Sequence, residues 1–175
     1  MGLAERVDPV GATDEKTMLV QYLDHQRATV AMKARGVDAA GTAATVGAST
    51  LTLGGLVKHL TLVEHSWFEH RFVNGPEREP WASVDWDADP DWEFRTGATE
   101  DIDELLADYA AACERSNAVI AAAKLDDRLA WPGWDEAERE RPSLRWVILH
   151  MIEETARHAG HADLLREAVD GAVGE

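Results

Sequence analysis

From Ser143 to Asp170 the sequence reads SLRWVILHMIEETARHAGHADLLREAVD, and its apolar residues return at the spacing of one long helix. Val147, Met151, Thr155, Ala162 and Leu165 share the stripe that should face the interior. Glu154 and His158 lie on that same stripe. Four residues apart, they project the same way from successive turns. A carboxylate on a core-facing stripe is costly unless something pairs with it, so the fold must bring a partner to this helix. Departures of this kind from local rules mark functional sites.

Three further stretches carry helical periodicity. The first is expected from about Asp14 to Arg35, with Thr13 as cap, Gly36 as stop and His25 at the edge of its apolar stripe. The second runs from about Thr52 to Val73, ended by Asn74-Gly75-Pro76. Leu53, Leu56, Leu60, Val63 and Trp67 form its buried face. His59 shares that face, whereas His65 and His70 lie further round and are expected to meet solvent. The third begins after Thr99 and runs to about Leu125, and Pro142 and Ser143 open the last. Strand patterns are nearly absent. Four helices of about 20 residues predict an all-α four-helix bundle. Two long connections, residues 74–98 and 126–141, carry tryptophans too large to leave in water, and residues 36–50 read as a loop or lid.

The 175 residues fit a single domain, 1–175, with residues 1–13 as a mobile N-terminal arm. At 45% hydrophobic and 29% charged, the composition is that of a soluble globular protein. No apolar run approaches the roughly eighteen residues of a membrane span, and the N-terminus lacks a signal-peptide pattern. One cysteine, Cys113, suits a reducing cytoplasm. The net charge of −16 argues against nucleic acid and anionic membrane surfaces as partners, and otherwise favours solubility and says little about the partner.

His59, Glu154 and His158 together form a candidate three-ligand site for a divalent metal. Bundle cores build metal sites from facing helices. Nitrogen and carboxylate donors suit zinc best, with nickel, iron or manganese as alternatives. Three protein ligands leave a position open for water or substrate. The competing structural reading pairs Glu154 with an arginine and makes His158 a hydrogen-bonded core histidine. His150 and His161 flank the pair, and either is a candidate for a fourth ligand, for orienting a ligand or for proton transfer.

Taken together, LTLGGLVKHLTLVEHSWF (51–68) and LRWVILHMIEETARHAGHADLLRE (144–167) resemble the DinB-like superfamily over almost the whole chain. The resemblance implies a four-helix bundle with long crossover connections, a homodimer, and a metal triad at one end of the core. In many members that triad is three histidines; residue by residue it falls on His59, Glu154 and His158. Glutamate at the middle position is similar to the N-terminal domain of mycothiol-dependent maleylpyruvate isomerase. The additional C-terminal domain of that enzyme has no counterpart here, so its isomerase activity does not transfer. The H-R-G-Q common in the superfamily stands here as His158-Ala159-Gly160-His161. The activity so implied is a metal-dependent transferase in which a low-molecular-weight thiol, mycothiol, attacks an electrophile, with His150, His161 or His25 managing protons. Metal-assisted hydrolysis and a non-catalytic metal-binding stress-response bundle are the alternatives.

Overall fold

The computed structural model describes residues 5–135 and 140–173, all-helical and without strands among them. Four long helices form the bundle: α1 (Glu15–Ala34), α3 (Leu53–Glu64) continued by a π-helix (His65–Phe72), α5 (Ile102–Ala122) and α6 (Leu144–Asp170). Two short helices, α2 (Ala39–Thr42) and α4 (Trp92–Gly97), lie in the connections. α1 runs along α6, α3 along α5, and α4 packs against α3.

The ends follow capping chemistry. Ser143 accepts from the Trp146 N–H to open α6, and Gly171 closes it in the left-handed conformation at φ 75°. α1 is capped by Asp14 rather than Thr13: its carboxylate accepts from the Thr17 N–H at 3.0 Å. The preceding arm lies against α1, where Val10 N–H donates to Gln21 and Val7 carbonyl meets the His25 ring. Residues 36–50 are not a plain loop. Asp38 caps α2 there, and a Cβ on Gly41 would meet Val169 of α6 at 3.0 Å.

The second long helix departs from the expected pattern after Leu60. Buried residues continue at Glu64, Phe68 and Phe72, a spacing of four, while Val63 and Trp67 are only half-buried. That spacing suits the wider turn of a π-helix. It turns Trp67 to the flank, against Trp146 and His150, and turns His65 inward. His65 was expected at the surface but is buried, accepting from the Arg78 N–H at 3.2 Å and facing Glu69 at 3.4 Å.

The apolar interior has two clusters. One centres on Val30, Leu56, Leu60, Tyr109 and Leu165, the other on Leu23, Phe68, Ile120, Ile148 and Met151. Each such buried side chain contributes about 1.5–3 kcal/mol. At intermediate register lies a polar layer. Fully buried Arg27 forks onto Glu64, Nε to Oε1 at 2.7 Å and Nη2 to Oε2 at 2.6 Å, and also donates to Asp24 and Asn117. Burial opposes the charge on Arg27, but Glu64 outweighs it and holds the guanidinium well above its ordinary value. Cys113 is buried nearby, and burial pushes its thiol well up, so it is no nucleophile at neutral pH.

Candidate metal centre

His59 is set by the start of α3. Thr52 caps that helix by accepting from the Gly55 N–H at 3.0 Å, and Gly54 and Gly55 then leave room for the backbone of α4. A Cβ on Gly54 would stand 2.1 Å from the Gly97 carbonyl oxygen, and one on Gly55 would stand 2.8 Å from that of Phe94. This approach brings two neighbours from α4 onto the His59 ring. Phe94 stacks on it at 4.5 Å, and Glu93 Oε1 lies 3.0 Å from Nδ1.

The other nitrogen of His59 turns toward α6. Nε2 of His59 and Nε2 of His158 each lie 3.3 Å from the same oxygen, Glu154 Oε1. Ligand atoms of His59, Glu154 and His158 all fall within 4.8 Å of one another. Donors held about 2.1 Å from a tetrahedral ion stand about 3.4 Å apart, so the two 3.3 Å separations fit a divalent ion. Among the described residues Glu154 has no arginine partner; its neighbours are the two imidazoles. The structural alternative in which an arginine neutralises it is therefore not the one observed.

Protonation states agree with a ligand set. Burial pushes the Glu154 carboxyl up, but the His59 hydrogen bond and the charge of His158 outweigh it and hold the group below its ordinary value. Burial, reinforced by His59, holds His158 below its ordinary value against the pull of Glu154. A carboxylate and a neutral imidazole are the forms that bind metal. Both inward nitrogens are backed by partners on the outward ones: Glu93 behind His59, and His161, whose Nδ1 lies 3.4 Å from Nδ1 of His158. Outer partners of this kind fix the tautomer and the ring plane.

His150 lies outside the donor group. Its ring stacks on Trp146 at 5.2 Å and meets the edge of Trp67 at 4.7 Å, with Glu153 at 3.9 Å. His25 lies against the N-terminal arm, near Val7 and Asp8. Sequence reasoning missed Glu93, Phe94 and the glycine contact that seats them. The available signal was the W-E-F run at 92–94, an acid between two aromatics inside a connection.

An all-α bundle with this His-Glu-His group, drawn from its second and last long helices, is a DinB-like architecture. Within that class, the family model described as mycothiol-S-transferase matches residues 18–171, and the chain belongs to that family. No curated protein matches the sequence.

Proposed function

We propose that the protein is a divalent-metal-dependent S-transferase that joins mycothiol to an electrophilic small molecule. The observation that carries this is the convergence of His59 Nε2 and His158 Nε2 on Glu154 Oε1 in a chain of the mycothiol-S-transferase family. The donor set of two nitrogens and one oxygen favours zinc. A bound ion supplies the Lewis acidity that keeps a thiol as thiolate at neutral pH.

The protein's own side chains orient and move protons. Glu93 and His161 hold the His59 and His158 rings so that Nε2 of each faces Glu154. We assign the thiol proton to His150, one turn before Glu154 and against Trp67. The sulfur then forms the S–C bond, and the electrophile's leaving group departs with the bonding pair. The buried lone cysteine supports a reducing, cytoplasmic setting. Trp146 and Leu149, about half exposed on α6, support a homodimer that covers them.

Calorimetric titration of the zinc-loaded protein with mycothiol, followed by turnover with a chromogenic aryl chloride, tests the reading. Saturable binding and thioether formation that need both metal and thiol are expected. No binding at about millimolar thiol, or product formation that persists without thiol, would overturn it.

A further inference from the structure

The short helix α4 depends on its neighbours for its place. Its six residues are half of the roughly 12 that a lone helix needs, and among the described residues no side chain caps its start. The approach of Gly97 to Gly54 sets how near α4 comes to α3. A contact between backbones without side chains constrains rotation about the α4 axis only weakly. That rotation decides where Glu93 points, since each helical residue turns about 100° from the last.

Lys58 stands next to His59 on α3 and grips the adjoining face of α4. Its ammonium donates to Thr96 Oγ1 at 2.8 Å, lies 4.1 Å from the centre of the Trp92 ring and pairs with Glu100 just beyond the helix. Trp92 and Thr96, four residues apart, share one face of α4. Trp81 packs edge-on against the Trp92 ring at 5.9 Å. The Lys58 side chain is only 7% exposed. A buried ammonium is costly unless its N–H groups are taken up, and here a hydroxyl, a carboxylate and an indole face receive them. Two neighbouring residues of α3 thus hold two adjoining faces of α4. Lys58 takes Trp92 and Thr96, and His59 takes Glu93 and Phe94.

We propose that Lys58 is a positioning residue for the metal centre: its three-point grip fixes the rotation of α4 and so keeps Glu93 on Nδ1 of His59. The inference rests on the reading of His59 as a metal ligand, whereas the grip on α4 is independent of the ion.

Two substitutions of Lys58 test this. Lys58→Met keeps an apolar stem and removes the ammonium, and Glu100, 41% exposed, passes to solvent, so no buried charge is stranded. Lys58→Arg keeps the charge, the donors and the stacking on Trp92. A cavity of about 240 Å³ beside Lys58, lined also by Trp81, Trp92 and Glu100, has room for the larger head. Zinc affinity is read by competition with a chromogenic chelator, and ligand geometry by the visible absorption of the cobalt-loaded protein. Lys58→Met should lower zinc affinity about tenfold, the lower end of the effect of a ligand's outer partners, and alter the cobalt spectrum. Lys58→Arg should bring both back close to wild type. In a Glu93→Ala background Lys58→Met should cost nothing further, because Lys58 acts through Glu93. In the metal-free protein the His59 ring protons, shifted upfield by stacking on Phe94, should move downfield in Lys58→Met, seen by aromatic NMR. Thr96→Val, which removes one of the three contacts, should give smaller changes in the same directions and carries the test should Lys58→Met not fold. If zinc affinity and the His59 resonances are unchanged in Lys58→Met, or its loss multiplies with that of Glu93→Ala, the inference falls while the metal reading stands. If the wild type binds no zinc but the His59 resonances still move in Lys58→Met, the grip on Glu93 and His59 stands and the metal reading falls.

Discussion

The carboxylate of Glu93 reaches Nδ1 of His59 at 3.0 Å across 34 residues of sequence. It therefore fixes which nitrogen of His59 faces Glu154. Glu93→Ala removes that constraint without touching a donor atom. Divalent-metal affinity should fall about 10- to 100-fold, measured by competition against a chromogenic chelator. An unchanged affinity would show that stacking on Phe94 alone positions the ring.

The same relationship depends on Gly54. Alanine in a helix normally gains up to about 1 kcal/mol over glycine. Here its Cβ would stand 2.1 Å from the Gly97 carbonyl oxygen, and α4 must move. Gly54→Ala should cost about 1–3 kcal/mol of stability, read from urea unfolding. It should also lower metal affinity, because α4 carries Glu93. Stabilisation instead of loss would mean that α4 is not seated by this contact.

Much of the fold was legible because the signals for it are local. Ser143 and Gly171 bracket α6 by capping chemistry, and the 3.6-residue stripe placed Glu154 and His158 together. His59 was reachable because it shares a face with Leu56 and Val63. The π-helix was not, since the four-residue spacing of Glu64, Phe68 and Phe72 is one an α-helix also keeps on a single face, so no periodicity marks the wider turn. That is why Trp67 was expected inside and His65 outside. Glu93 was out of reach for a different reason: its partner is set by a glycine-to-glycine backbone approach between distant segments, which no periodicity reports. The pairing of Arg27 with Glu64 is likewise long-range, and a charged residue in a helix reads first as solvated.

That buried pair yields a third expectation. Arg27→Met or Glu64→Leu alone strands an uncompensated charge between the two apolar clusters and should cost about 3–5 kcal/mol. The double variant should recover most of the loss, with a remainder from Asn117 and Asp24, which also accept from Arg27. Urea denaturation of the four proteins completes the cycle. Additive losses would show that the two side chains do not act as a pair.

The last expectation concerns pH in the metal-free protein. Burial holds both His65 and His158 below the ordinary histidine value of 6.5. For His65 it outweighs the opposing pull of Glu69. The unfolded chain therefore binds protons at these positions before the folded chain does. Stability from the two histidines is fully present above about pH 6.5 and is lost progressively as pH falls below it, toward their folded values. Glu69 and Glu154 are held below their ordinary 4.5, so they retain their contribution until pH falls through that value. Between about pH 6.5 and 4.5 the histidines should dominate the slope among these groups. The melting temperature should thus drop between about pH 7.5 and 5.5, and His65→Gln, which retains an acceptor for the Arg78 N–H, should flatten the drop. Zinc should raise the melting temperature but steepen its fall with falling pH, because bound donors stay deprotonated in the folded chain while the unfolded chain takes up protons. A melting temperature independent of pH over that interval would mean that neither imidazole is kept neutral by its surroundings.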